Sequence, residues 1–391
     1  MRVEELSANS GIKPLEYPLR DTPHATIETN RTCNIQCRLC YTRDRSHVKT
    51  LAEIEREIEL ALKKRNLQTM TLLGGEPTLH PRLPEVVASI KSRGLKCQIL
   101  TNGVVFLHDD QDGLLDRLIA SGVDRILLHV DSGQSHIHRD LEEVRSRLFQ
   151  KLERKKVHFS LSLTIYEEER GAMPGLIKKY ARYRYFDGIL AVLARDPSAP
   201  YHQTVSLAGE YESLERELCV SPSAYIPSSA QDGQIFWFIY HYFINALNGK
   251  TLALSPASHR VIRKFYRILS GRHLFTIILR PSSQLLALFY LSVLELSIHP
   301  GKIRDVARMI WSSRLGKAIR FQFIAVQTPP AFDPEKNRYL ICYHCPDATI
   351  RNGMLTPVCI ADFINPLDGH SVDGELPRDL YQLAYTHLGE I

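Results

Sequence analysis

Three cysteines near the N-terminus stand at Cys-x3-Cys-x2-Cys spacing in the run Cys33-Asn34-Ile35-Gln36-Cys37-Arg38-Leu39-Cys40. Three thiolates on one short loop can hold three irons of a [4Fe–4S] cube and leave the fourth iron without a protein ligand. An open iron is a place where a small molecule binds and reacts, so the loop reads as catalytic rather than as electron storage alone. A structural zinc is the rival, but it wants four ligands in a closed site, and no fourth cysteine lies nearby.

Two more loops carry polar or bare backbone directly after apolar runs. Gly74-Gly75-Glu76-Pro77 follows Met70-Thr71-Leu72-Leu73, and Leu100-Thr101-Asn102-Gly103 ends the next run. Glycines without a Cβ allow close backbone approach. Together the three motifs resemble those of the radical S-adenosylmethionine (SAM) enzymes, over roughly residues 22–195. The resemblance implies that Cys33, Cys37 and Cys40 bind a [4Fe–4S] cluster and that Gly74, Gly75 and Glu76 cradle the methionyl amino group of SAM. Asn102 is then a polar contact to SAM. It further implies reductive cleavage of SAM and removal of hydrogen from an unactivated C–H bond. Leu39 departs from the family, which usually has an aromatic residue before the third cysteine; here Tyr41 follows it. After the next strand, His129-Val130-Asp131-Ser132-Gly133, the resemblance assigns Asp131 and Ser132 to the ribose. Ser162 and Thr164 point the same way along a strand's period of two. His136 and His138 do not share a helix face and read as a solvated helix start.

The elements that must position these loops are legible as alternation. Strands are expected at 24–30, 69–73, 96–101, 124–130, 157–164 and 187–193, and helices at 50–65, 82–93, 112–121, 137–154 and 172–182. Such alternation calls for a parallel sheet with right-handed crossovers, and the six units fit an α/β partial (β/α)6 TIM barrel. Active sites of barrel-like folds gather at C-terminal strand ends, where all three motifs fall. Thr50 and Glu53 form a capping box for the first helix. Gly122 suits a helix C-terminus, and Pro81 and Pro84 a first turn.

After Asp196-Pro197-Ser198-Ala199-Pro200 the rhythm stops. The expected domains are an N-terminal extension (1–21), the core (22–195), a helical insertion (196–325) and a small C-terminal cysteine-rich metal unit (326–391). The last ends in a short helix over 376–388. The unit contains Cys342-Tyr343-His344-Cys345 and then Cys359, a metal-site pattern. It resembles the twitch and SPASM extensions of radical SAM enzymes, which implies a second, auxiliary [4Fe–4S] cluster. Zinc with His344, Cys219 or His370 is the alternative. Cys97 reads as core.

Of the net charge of +6, the segment 248–320 holds 13 Lys and Arg against two acids, a surplus of 11 that leaves the rest of the chain at −5. A basic segment on an acidic body points to an anionic partner. The run Ile235–Ile244 reads as a helix apolar all round, and 285–294 as a second. Both fall short of the roughly 20 residues of a membrane span. Arg260, Arg263, Lys264, Arg267 and Arg272 are interleaved with apolar residues, the pattern of an interfacial helix. Contact with anionic membrane is therefore expected, and nucleic acid is not. The start, Met1-Arg2-Val3-Glu4-Glu5, has no signal-peptide core. Eight cysteines without secretory features suit a reducing cytoplasm. The expected partners are a flavodoxin or ferredoxin as electron donor and an unidentified substrate. That substrate is a lipid or other apolar molecule, or a peptide. A non-catalytic iron–sulfur carrier is the reading from another class, and the GGEP loop argues against it.

Overall fold

The structure is a computed structural model. It describes residues 1–365 except 7–9, 16, 43–44, 109–112, 195–204, 231, 313–317 and 334–337. The helix expected over 376–388 and His370 lie outside the described residues.

The first half alternates as its sequence demands. It runs β1 (His24–Asn30), α1 (Leu51–Lys64), β2 (Thr69–Gly74), α2 (Leu83–Ser92) and β3 (Lys96–Thr101). Then come α3 (Val104–His108), α4 (Leu114–Ala120), β4 (Arg125–His129), α5 (Leu141–Lys155), β5 (His158–Ile165), α6 (Met173–Tyr180) and β6 (Phe186–Leu193). The six strands pair in chain order, all parallel. This is the singly wound sheet of a partial barrel. Helix starts follow their caps. Thr50 Oγ1 accepts from the Glu53 amide at 3.3 Å while the Glu53 carboxylate accepts from the Thr50 amide at 2.7 Å. Pro84 sits in the first turn of α2, and Gly122 follows α4 in a left-handed conformation (φ 91°).

The second half is α7 (Leu207–Leu218), β7 (Ala224–Pro227), β8 (Ile235–Asn245), β9 (Thr251–Ala253), α8 (Pro256–Ser270), α9 (Gln284–Ile298) and α10 (Ile303–Ser312). It continues with β10 (Ile319–Gln327), β11 (Ala331–Asp333), β12 (Arg338–Leu340), β13 (Ala348–Arg351), β14 (Met354–Pro357) and α11 (Ala361–Ile364). Here two expectations are corrected. The run beginning at Ile235 is a strand, not a helix, and the segment 196–325 is not purely helical. β10 lies parallel to β6, β8 runs antiparallel to β10, and β7 and β9 flank β8, so all extend the barrel sheet. The reason is burial on both faces. Phe238, Tyr240, Tyr242 and Ile244 join the main core, whereas Trp237 and Phe243 join separate clusters on the other side. A strand covered on both sides reads as an unbroken apolar run, which periodicity cannot tell from a buried helix. Its aromatic and β-branched content was the available signal.

The C-terminal hairpin β13–β14 packs against β1. Buried charge fastens it. Arg351 donates from Nε to Glu28 Oε2 (2.6 Å) and from Nη2 to Glu28 Oε1 (2.7 Å) and Asp362 Oδ1 (3.1 Å). Arg31 donates to both oxygens of Asp362, from Nη1 at 2.8 Å and also from Nη2. Arg65 adds backbone clamps, donating to the carbonyls of His24 (2.7 Å) and Cys345 (2.8 Å).

Candidate active site

The cysteine loop leaves the C-terminal end of β1 and is pinned by the loops after β2 and β4. The Gly75 amide donates to the Asn30 carbonyl and the Glu76 amide to the Thr32 carbonyl, both at 2.8 Å. A Cβ on Gly74 would stand 2.0 Å from the Asn30 oxygen, and one on Gly75 2.2 Å from the Thr32 oxygen. The two glycines therefore serve first to let the cysteine loop pass close by, not only to admit a ligand. Gln134 Nε2 lies 3.8 Å from Cys37 Sγ, and the Arg38 amide donates to the Gly133 carbonyl at 3.1 Å. The Arg38 guanidinium sits over the Tyr166 ring, 5.0 Å from its centroid.

Cys33, Cys37 and Cys40 line a cavity of about 210 Å³ together with Gly74, Gly75, Glu76 and Asn102. Burial, Cys40 and Asp131 push the Cys37 thiol up to about 12, against the Gln134 contact, and burial raises Cys33 as well. Thiols so placed become thiolates only with cationic metal beside them, which is what iron supplies. Among the described residues no three His, Cys, Asp or Glu converge on a single-ion point.

Glu76 is buried, and its carboxylate is already well served. Oε1 accepts from the Thr78 amide (3.0 Å), from the Thr78 hydroxyl (2.5 Å) and from Thr101 Oγ1 (2.6 Å). Oε2 accepts from the Asn102 amide at 2.7 Å. Burial raises its pKa, and these donors oppose the rise. A carboxylate has about four lone-pair sites, and Oε2, with one donor, retains capacity for an ammonium. Asn102 spends its side chain locally: Nδ2 donates to Asn34 Oδ1 (2.8 Å), and Oδ1 accepts from the Val104 amide (2.9 Å).

Asp131 and Ser132 are not among the residues that line the cavity. Asp131 is a buried latch. Oδ2 takes His129 Nε2 (2.6 Å) and the Thr164 amide (2.7 Å), and Oδ1 takes the Gly133 amide (3.0 Å). Ser132 donates to Glu169 at 2.9 Å. The polar groups that do reach the cavity from this side are His129, Ser162 and Thr164. Burial alone would lower the His129 pKa, but Asp131 raises it. His129 escaped the sequence reading, although its place at a strand end was the signal that could have found it.

The second cysteine set meets the first. Cys359 lines the same cavity, and so does Asp347. Cys342 and Cys345 are buried behind it, with Trp237 Nε1 donating to Cys342 Sγ at 2.9 Å. One of the proposed fourth ligands, Cys219, is not brought there: it is exposed at the end of α7 and lines a different cleft. His344 turns its Nδ1 to the Tyr17 carbonyl at 2.7 Å. Asp347 stands instead beside Cys345 and Cys359, and burial pushes its carboxyl up to about 7 against Arg65. Tyr41 lies between the sets, its pKa raised by burial and then by Glu28, Cys40, Cys359 and Asp347. Cys97 is core.

Residues 27–154 match the Radical SAM superfamily. Among curated proteins, GTP 3′,8-cyclase of Chlorobaculum tepidum is 31% identical over 117 residues, 29% of this chain and 34% of that protein. The antilisterial bacteriocin subtilosin biosynthesis protein AlbA of Bacillus subtilis is 26% identical over 133 residues, 33% of this chain and 28% of that protein. The chain spans about a third of the length of the curated relatives it matches. Among solved structures, Streptococcus suis SuiB bound to precursor peptide SuiA is similar at a TM-score of 0.42 and 15% identity. That match covers 50% of this chain and 45% of SuiB. Cysteine spacing, glycine cradle and parallel sheet coincide with the stretch, residues 27–154, that matches the Radical SAM superfamily.

Proposed function

We propose that the protein removes hydrogen from an unactivated C–H bond of a long apolar substrate. The observation that carries this reading is the single cavity, in which Cys33, Cys37 and Cys40 face Cys359 across walls rich in apolar residues such as Leu39, Leu163, Leu193 and Val358. Cluster and SAM, when bound, supply reductive cleavage of the sulfonium and the hydrogen abstraction. The chain supplies position and dryness. Cys33, Cys37 and Cys40 hold three irons. Glu76 Oε2 takes the methionyl ammonium, with Gly74 and Gly75 beside it. Asn102 keeps the cysteine loop in register, and His129 and Thr164 offer polar contacts on the β4–β5 side. Asp131 fixes His129, and Ser132 fixes the following loop through Glu169. Cys342, Cys345 and Cys359 hold a second cluster. Residues 22–195 work as the core and 326–391 as the auxiliary unit, with a flavodoxin or ferredoxin as electron donor at the cytoplasmic face of a membrane. A peptide substrate is the second reading, supported by the similarity to AlbA, which is named for bacteriocin biosynthesis.

The test is anaerobic reconstitution with iron, sulfide, SAM and dithionite, followed by detection of 5′-deoxyadenosine. The intact chain is expected to form it, and Cys37→Ala to form none while keeping iron on the C-terminal cysteines. A Cys37→Ala protein that cleaves SAM at the parent rate would overturn the reading.

A further inference from the structure

The helices α8 and α9 are turned the wrong way round for water, and α10 beside them leaves a large aromatic residue exposed. On α8, Val261, Phe265, Ile268 and Leu269 recur at i, i+4, i+7 and i+8 and form one stripe. That stripe faces solvent (Leu269 is 72% exposed), while the same helix buries Ser258 and His259. On α9 the inversion repeats. Gln284, Ser292 and Glu295 are buried with Leu288, whereas Leu286, Phe289, Tyr290 and Val293 are exposed. α10 adds Trp311, 85% exposed. A helix in water hides its apolar stripe, and contiguous apolar surface of this kind marks a contact site.

We propose that this three-helix face docks on an anionic phospholipid bilayer and lies in its interfacial layer. The inference rests on the apolar-substrate reading for its purpose, since a lipid-like substrate must be drawn from a membrane. Charge selects the occupant. Lys264, Arg304 and Arg308 are exposed within or beside the apolar stripes. The two acids of the segment are Glu295 and Asp305. Glu295 is buried, accepting from the Ser255 amide (2.6 Å) and from Lys302 Nζ (2.9 Å), and Asp305 pairs with Arg308 at 3.3 Å. Apolar stripes with cations and exposed Trp and Tyr are what the headgroup boundary accepts. A second copy would bring one basic face against another, so charge opposes it. By length and composition the stretch Pro281–Ile298 could cross a bilayer. However, α9 packs along α8 and β10, and its buried Glu295 is tied to Ser255, so the helix lies along the protein. Arg260, Arg263 and Arg267 are engaged with the N-terminal segment. They reach the Gly11 carbonyl (2.8 Å), the Tyr17 ring (5.1 Å) and Asp21 (3.4 Å) respectively. The cations that face lipid are therefore Lys264 and Arg304, with Arg308 shared with the equally exposed Asp305.

The test is flotation of the full chain with phosphatidylcholine vesicles, with and without phosphatidylglycerol, at low and high salt. Binding should be strongest to anionic vesicles and should weaken but persist at high salt. Replacing Lys264, Arg304 and Arg308 together by Gln should lower anionic-vesicle affinity on the order of 100-fold at low salt, at about fivefold per cation. Phe265→Ser with Ile268→Ser and Phe289→Ser should abolish the salt-resistant part; all six side chains are exposed, so melting temperature should hold. Cys37→Ala should bind vesicles like the parent, which separates a failure of docking from a failure of the radical chemistry. Absence of binding at low salt would overturn the proposal. So would concentration-dependent dimerisation that the serine variant removes, because it would assign the face to a second copy.

Discussion

Replacing Arg351 by Met should loosen the C-terminal unit from the barrel at a cost that the structure lets one work out. The Arg351 side chain is 1% exposed, that of Glu28 2%, Arg31 2% and Asp362 8%, so the four charges sit in a low-dielectric seam between β13, α11 and β1. Two guanidiniums balance two carboxylates there. Met fills much of the volume but withdraws three charge-assisted hydrogen bonds and leaves one buried negative charge uncompensated. Breaking a buried pair from one side costs about 3–5 kcal/mol, a large share of a total stability of about 5–15 kcal/mol. The double variant Arg351→Met/Glu28→Gln removes both partners and keeps the Arg31–Asp362 pair, so it should recover about 2 kcal/mol of that loss. Guanidinium unfolding followed by circular dichroism measures both. Since β13–β14 leads directly to Cys359, the single variant should also label faster at that thiol. A single variant within 1 kcal/mol of the parent, or a double variant no better than the single, would refute the idea that this ion network clamps the unit.

Gly75→Ala should lower the melting temperature and the iron content together. Its Cβ would meet the Thr32 and Arg31 carbonyl oxygens at 2.2 and 2.3 Å, and backbone must shift to relieve that overlap, at about 1–3 kcal/mol or more. Stability should fall as pH drops from 6.5 toward 4, because burial first, then Arg125 and Arg263, hold His241 down to about 4 from 6.5. A group so depressed contributes fully above its unfolded pKa and loses up to about 3 kcal/mol as pH falls through this window. His241→Phe should lessen the slope and leave the share of the other buried histidines, His24 and His259, and the site already stacks His241 on Phe321 at 5.9 Å. Iron and sulfide analysis of the reconstituted chain should give about eight irons, from two four-iron clusters. Four irons with one zinc would assign the C-terminal cysteines to zinc instead.

Much of the barrel could be read from the chain because its determinants are local. A strand such as 96–101 followed by a capped amphipathic helix carries its own period, and Thr50 and Glu53 satisfy each other within four residues. The cysteine spacing and the glycine pair are local too, so the first half of the site was legible as chemistry. What only the tertiary structure decided involves partners far apart in sequence. β8 is a strand because a second layer covers each of its faces, and its own residues do not say so. Asp131 serves as a latch because His129 and the Thr164 amide reach its carboxylate from β4 and β5. Cys359 comes to the same cavity as Cys37 because Arg351 meets Glu28, 323 residues away in sequence. The apolar stripe of α8 points outward because Ser258 and His259, not Phe265, are the side chains that the sheet accepts. Periodicity ranks the faces of an element, but only packing chooses which face turns inward.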